Sequence, residues 1–294
     1  MVNDWVLAHT GAAVTDSVLL QNLWGGYGEL RRLYLQDRPS VILKCVLPPA
    51  EECASVSDRR KRRSYEVEQA WYQGPARHSQ ARLAACLATG GAGETRLLLL
   101  EDLANAGFKP GRPPQVGAGL RWLARFHASF LDARPAGVWE QGGYWHLDTR
   151  QEEFQRMPAG PLKEAARALD LLLKKARYQT LLHGDSKPAN FLWKNSAEAA
   201  AVDFQYVGAG CGIRDVAYFL DCCASSSQVE SWLDFYFRAL QEACPDLPEG
   251  LEAEWRRLYP VAWADYARFM QGWGRPGPLD DYGRQQLRRA LALL

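Results

Sequence analysis

One segment constrains the fold of this 294-residue chain more than any other: His183-Gly-Asp-Ser-Lys-Pro-Ala-Asn190, followed by Asp203-Phe-Gln205 at the end of an apolar run. Asp185 and Asn190 stand five positions apart, and Asp203 lies eighteen residues beyond Asp185. Two carboxylates, an ammonium (Lys187) and an amide can act together only if the chain brings them to one place. Short strands must therefore hold the loop: Thr180 to Leu182, Phe191 to Lys194 and Ala200 to Phe204 read as such strands inside a mostly helical C-terminal half. Asp and Asn capping turns between strands would explain each residue singly, but not the joint spacing.

The chemistry that needs this set is phosphoryl transfer. A γ-phosphoryl group moves with little covalent help, so a protein must position an acceptor hydroxyl and neutralise charge on phosphate oxygens. The spacing is that of a kinase catalytic loop, an Asp with an Asn five positions later and then a metal-binding Asp-Phe. Asp185 would accept the hydroxyl proton, Asn190 and Asp203 offer the oxygen ligands that Mg²⁺ prefers, and Lys187 is near enough in sequence to reach the transferring phosphate.

Composition leaves this reading room. Hydrophobic residues at 47% and charged residues at 23% are ordinary for a globular chain long enough for two lobes. A net charge of +1 provides no broad field for nucleic acid or an anionic membrane, so phosphate recognition must be local. The N-terminal stretch lacks a basic region followed by an apolar one, and no apolar run is long enough to span a bilayer, so the expectation is a cytoplasmic protein. Seven cysteines, an odd number without Cys-x-x-Cys, fit reduced thiols, with Cys222 and Cys223 as core or boundary residues of one helix. The oligomeric state is open.

The first hundred residues carry strand and turn signals. Leu23-Trp-Gly-Gly-Tyr-Gly-Glu-Leu30 is a glycine-rich turn flanked by apolar segments, and Arg32 to Leu35 and Ser40 to Leu47 read as strands. Gly25, Gly26 and Gly28 would let backbone amides approach phosphate oxygens, although an ordinary hairpin turn explains them equally well. Lys44 sits inside an apolar strand, where an unpaired charge is costly, so it needs a partner. The segment Asp58 to Tyr72 reads as the following helix, and of Glu66 and Glu68 the second shares a face with Tyr72 and is favoured to meet Lys44. The run Arg59 to Arg63 could bind an anionic partner or act as a localisation signal, but a solvated charge cluster at the helix start is the favoured reading. Thr95 to Leu103 is a buried strand with acidic residues, read as an edge strand running into a Gly- and Pro-rich linker; backbone groups at Glu101 and Leu103 would meet adenine. Helices follow at Val116 to Leu131, Lys163 to Arg177, Ile213 to Cys223, Val229 to Ala243, Leu251 to Trp273 and Asp281 to Leu294.

Taken together, Leu181 to Trp193, Ala201-Val-Asp-Phe-Gln-Tyr-Val-Gly208 and Gly212-Ile-Arg-Asp-Val-Ala-Tyr-Phe-Leu220 resemble the aminoglycoside phosphotransferase and choline kinase superfamily, and their wording is similar to its ecdysteroid-kinase-like branch. Leu100-Glu-Asp-Leu103 and Leu123-Ala-Arg-Phe-His-Ala128 extend the resemblance. It implies an α+β, bilobal protein-kinase-like fold, with a β-rich N-terminal nucleotide-binding lobe at 1–103 and a helical catalytic and acceptor-binding lobe at 104–294. It also implies ATP, Mg²⁺ and transfer to a hydroxyl of a small molecule, with Asp185 as base, Asn190 and Asp203 on metal, and Lys44 with Glu68 setting the phosphates. The resemblance makes His127 a packing residue and Asp215 the anchor of the catalytic-loop backbone; His183 is expected to orient that loop by hydrogen bonds. The stretch Trp263 to Trp273 reads either as an acceptor-pocket wall or as plain helix packing. Lys187-Pro188 departs from the superfamily toward protein kinases, so a protein kinase stands as an alternative; a silent nucleotide-binding module is a second, disfavoured by the presence of Lys44, Asp185, Asn190 and Asp203. Only twelve residues separate Asp203 from Asp215, with no Ala-Pro-Glu between, which speaks for a small acceptor.

Overall fold

The computed structural model describes residues 2–49, 55–111, 114–274 and 277–294. The N-terminal part is a five-stranded antiparallel sheet in the order β1-β2-β3-β5-β4. Its strands are β1 (Val14–Asn22), β2 (Gly28–Leu35), β3 (Arg38–Val46), β4 (Cys86–Gly90) and β5 (Arg96–Glu101), and Val6 of helix α1 (Val2–Thr10) packs with Leu33, Leu43 and Leu99 on one face. Residues 41, 43, 45 and 46 of β3 are buried and face apolar β5, which is why this pair lies inside the sheet. Strand β5 is therefore internal: the edge position expected for it is taken by β4, which the sequence reading did not mark as a strand.

Helix α2 (Val56–Gln73) is capped by Ser55, whose hydroxyl accepts from the Asp58 amide. It joins the two halves of the molecule through Trp71, which is fully buried and stacks on Phe204 at 5.1 Å, with Phe126 and Phe130 at 5.7 and 5.4 Å. Because Trp71 and Glu68 are three residues apart, docking Trp71 on Phe204 turns Glu68 toward the sheet.

The C-terminal part is helical: α3 (Val116–Ser129), α4 (Gln151–Arg156), α5 (Pro161–Lys174), α6 (Ile213–Cys223), α7 (Val229–Ala243), α8 (Leu251–Trp273) and α9 (Asp281–Leu291). Two short antiparallel pairs interrupt the helices, β6 (Thr180–Leu182) with β9 (Gly208–Gly210), and β7 (Phe191–Trp193) with β8 (Ala199–Ala201). The catalytic-type loop leaves β6 and enters β7; the Asp203-Phe204 segment follows β8. One large apolar core runs from Val67 and Trp71 through α3, the small strands and α6 into α8. No helix among the described residues is long and apolar enough to cross a membrane.

Candidate functional site

The loop between β6 and β7 is fixed by one buried carboxylate. Asp215, on the first turn of α6, accepts from the backbone amides of His183 (2.6 Å) and Gly184 (3.1 Å), while its carbonyl accepts from the Ser186 hydroxyl (2.9 Å). Gly184 is required here: its φ is +81°, and a Cβ would lie 2.2 Å from the Tyr206 carbonyl oxygen. His183 lies 3.1 Å from the Val202 carbonyl oxygen through Nε2, and burial holds its pKa below the ordinary histidine value. His127 is fully buried, with Nδ1 2.7 Å from the Tyr236 hydroxyl and Nε2 3.4 Å from Asp215, the buried packing position that the resemblance implies.

That anchorage presents Asp185 to the cleft. Its Oδ2 accepts from Lys187 Nζ (2.8 Å) and Asn190 Nδ2 (2.9 Å), and its Oδ1 from the Tyr218 hydroxyl (3.3 Å). Asn190 Nδ2 also donates to the Asp185 carbonyl (2.8 Å), so the amide group is committed and Oδ1 stays free of these bonds as a hard oxygen donor. Burial weakens the Lys187 ammonium, yet the neighbouring Asp185 prevails and holds its pKa above the ordinary lysine value.

The opposite side comes from β3 and α2. Lys44 Nζ donates to Glu68 Oε2 (2.6 Å) and lies 3.2 Å from Asp203 Oδ1, joining the sheet, α2 and the segment after β8. Burial would discharge Lys44, but the two carboxylates outweigh it and hold it protonated. Burial likewise opposes the Asp203 charge, and Lys44, Lys187 and Lys61 hold its carboxyl below the usual carboxylate range. Asp203 has φ +68°, a conformation that Asp tolerates better than most residues, and 39% of its side chain is exposed. Glu66, the alternative partner for Lys44, points away to Arg63 and Arg96. Asp203 and Asn190 fit a hard divalent cation in donor chemistry. Among the described residues no cluster of three or more His, Cys, Asp or Glu side chains could hold an ion unaided, so bound phosphate and water would supply the remaining oxygens.

The glycine turn lies between β1 and β2. Gly25 and Gly26 have φ of +71° and +76° in the turn itself. Gly28 (φ +124°) is demanded by the sheet, since a Cβ would sit 2.1 Å from the Cys45 carbonyl oxygen. At the other end of the sheet the Glu101 amide donates to Ala85 (2.8 Å), its carboxylate pairs with Arg82, and the Leu103 carbonyl accepts from Phe108 (3.1 Å). Asp102 is held by Arg32 (2.6 Å) and Ser40 (2.6 Å).

Several residues around the cleft carry no short motif. The irregular segment 139–150 brings Tyr144 and Arg150 to the loop: the Tyr144 amide donates to Gly184 (2.7 Å), and Arg150 Nε donates to the Tyr144 carbonyl (2.7 Å). Tyr206 stands edge-on to Tyr144 at 5.0 Å. The basic run does not form the solvated cluster expected of it. Arg60 reaches the Thr149 carbonyl of the other half (2.7 Å), Lys61 sits over the Tyr65 ring of its own helix at 4.9 Å, and Arg62 binds Asp58 one turn back (2.9 Å), while Arg59 is exposed. The stretch Trp263 to Trp273 is helix packing over most of its length, with its last turn near the catalytic-type loop. Trp263 and Asp265 are buried in packing, whereas Phe269 and Trp273 stack together at 5.4 Å beside Tyr144. Of the two adjacent cysteines, Cys223 is half-buried at the core boundary, as expected, but Cys222 is exposed on α6.

A model of the phosphotransferase enzyme family, APH, matches residues 54–261. No curated protein matches the chain. Among solved structures, the microcompartment-associated aminopropanol kinase is 14% identical with a TM-score of 0.55, covering 99% of this chain and 94% of that one. The macrolide 2'-phosphotransferase MphH from Brachybacterium faecium is 16% identical with a TM-score of 0.54 over 99% and 97%. A thermostable mutant of aminoglycoside phosphotransferase APH(4)-Ia, in a ternary complex with ADP and hygromycin B, is 15% identical with a TM-score of 0.51 over 99% and 97%. These likenesses show a shared bilobal kinase-like fold.

Proposed function

Because this chain belongs to the phosphotransferase enzyme family, we propose that it transfers the γ-phosphate of ATP to a hydroxyl of a small molecule, with Mg²⁺ as the accompanying cation. The observation that carries the proposal is the convergence of the motif residues. Lys44 spans Glu68 and Asp203 on one side of the cleft, and Asp185 is held by Lys187 and Asn190 on the other.

In this reading Asp185 accepts the proton of the attacking hydroxyl through Oδ1 or Oδ2, after Lys187 turns from it toward the transferring group. Lys44, kept charged by its two carboxylates, fixes the nucleotide phosphates. Asn190 Oδ1 and Asp203 would hold Mg²⁺, which supplies charge neutralisation on phosphate oxygens. Gly25, Gly26 and Gly28 would cover the phosphates, and the backbone from Glu101 to Leu103 would flank adenine through groups not already bonded. Residues 1–103 and 104–294 are the two working lobes, and a supply of ATP fits a cytoplasmic setting. The wording around Val202-Asp-Phe-Gln205 favours the ecdysteroid-kinase-like branch.

ADP release by purified protein, measured across hydroxylated metabolites and antibiotics with and without Mg²⁺, tests the proposal. Acceptor-dependent, Mg²⁺-dependent ADP formation is the expected result; transfer to Ser/Thr peptides in preference to every small molecule would replace it with a protein-kinase reading.

A further inference from the structure

The acceptor side of the cleft carries an excess of positive charge. Arg60 from α2 and Arg150 from the segment before α4 lie close enough to repel one another, and with burial this repulsion lowers the Arg60 pKa. Among the described residues, the carboxylate in contact with this pair is Glu153, 3.0 Å from Arg150 Nη1. Arg150 is 2% exposed, and its Nη2 is buried without a hydrogen-bond partner. A buried donor left unmatched costs about 1–3 kcal/mol or more when charged, so the fold keeps this one at a loss unless a ligand meets it. Lys61 adds a third cation beside the pair, half-buried on the same helix. The layer beneath repeats the imbalance, with Arg214 and Arg268 sharing the single buried carboxylate of Asp265 at 3.0 and 2.9 Å.

The location matters as much as the charge. Arg150 is two hydrogen bonds from the catalytic loop, through the Tyr144 carbonyl and the Tyr144 amide to Gly184, the residue preceding Asp185. Its guanidinium lies 3.9 Å from the centre of the Tyr144 ring, and that ring meets Tyr206 edge-on. A planar, stacked guanidinium with a spare Nη is the form of arginine that recognises a carboxylate or phosphate. An ammonium-bearing acceptor would instead meet like charge at this corner.

We infer that the acceptor is itself an anion, a hydroxyl compound carrying a carboxylate or phosphate that docks between Arg60 and Arg150 while its hydroxyl faces Asp185. The inference rests on the phosphotransferase reading for the hydroxyl, but not for the anion site. Arg60 is part-exposed and Arg150 is buried; the anion would satisfy Arg150 Nη2 as it enters. The nucleotide's own phosphates are the competing source of negative charge, and the test separates the two.

Wild type, Arg60→Gln and Arg60→Lys are compared with the nucleotide site filled by a non-hydrolysable ATP analogue and Mg²⁺. Glutamine removes the charge and shortens the side chain, so the Thr149 bond made by Arg60 Nη1 is lost with it; Arg60→Lys and an unfolding curve for each variant control for folding. The probes are glucuronate, glucose, glucosamine and inorganic phosphate, read by thermal shift; ADP formation is then measured with ATP and the three sugars. The expected result is stabilisation of wild type by glucuronate and phosphate and not by glucosamine, with roughly tenfold or greater weakening in Arg60→Gln and partial rescue in Arg60→Lys. No anion-dependent shift, an equal shift in Arg60→Gln, or preferential turnover of glucosamine overturns the inference while leaving phosphoryl transfer intact. Loss of analogue binding in Arg60→Gln with unchanged anion response also overturns it, by assigning the arginines to the nucleotide. Anion binding that requires Arg60 but is accompanied by no transfer to any sugar supports the anion site and counts against the phosphotransferase reading.

Discussion

Asp185 has three hydrogen-bond donors around its carboxylate, and a base so held can take a proton only from a group placed against it. Asp185→Asn keeps the shape and removes the acceptor, so turnover should fall on the order of a hundred- to ten-thousand-fold. Binding of MgATP should stay within about twofold, since the change of 1.4 kcal/mol that a tenfold loss requires has no source in an isosteric amide. Calorimetric titration and ADP release, measured on one preparation, check both halves. A second residue sets an acid limit. Burial, assisted by Arg214, pushes the His146 pKa down to about 4. Unfolded histidine takes its proton near pH 6.5, so between that pH and about 4 protons favour the unfolded chain, and stability falls as pH falls. The contribution is at most about 3 kcal/mol by linkage. His146→Gln should flatten this limb in denaturant titrations from pH 7 to 4; an unchanged slope would assign acid sensitivity to other groups. Sequence made the motif residues legible because phosphoryl chemistry dictates their spacing. Arg60 was legible only as one of a basic run open to an anionic partner, and Arg150 was not legible, since a lone arginine in a loop carries no spacing rule.

At the scale of elements, α6 and α2 position everything else. The first turn of α6 carries Asp215, which satisfies two buried backbone amides of the loop at 2.6 and 3.1 Å. Asp215→Ala leaves both unmatched and should lower stability by about 2–5 kcal/mol, with turnover falling beyond the folded fraction because Asp185 loses its placement. Turnover that merely tracked the folded fraction, measured by circular dichroism beside activity, would make Asp215 a packing residue alone. Helix α2 depends on Trp71 against Phe204, and Trp71→Ala should cost about 3–5 kcal/mol and weaken nucleotide binding by releasing Glu68 from Lys44. Unfolding curves combined with nucleotide titration check this. The long periodic helices were readable from their apolar faces, and β3 and β5 from continuous apolar runs. Strand β1 was legible only as the first arm of a hairpin about the glycine turn, without bounds, for it lies at a sheet edge with Val18, Leu19 and Leu20 all exposed and no alternation to mark a face. Strand β4 ends in Thr-Gly before a turn, and α4 is a six-residue helix, below the length at which periodicity can speak. The edge position of β4 is a matter of pairing order, which local pattern does not encode.

The whole molecule brings a sheet-borne lysine to a helix-borne carboxylate and both to a loop from the helical half, across one continuous core. That assembly was legible in outline because the loop motif requires an opposing lobe, whereas the placement of Tyr144 and Arg150 depends on where the irregular segment 139–150 is led by the bond from Tyr144 to Gly184. The central claim is transfer of the γ-phosphate of ATP to a small-molecule hydroxyl in the cleft between the lobes. Phosphorus NMR of a reaction containing ATP, Mg²⁺ and a panel of hydroxylated small molecules tests it most directly. The account predicts a new phosphomonoester resonance growing in step with ADP for at least one acceptor and vanishing with Asp185→Asn. ATP converted only to ADP and inorganic phosphate, or a phosphomonoester formed equally by Asp185→Asn, would contradict it.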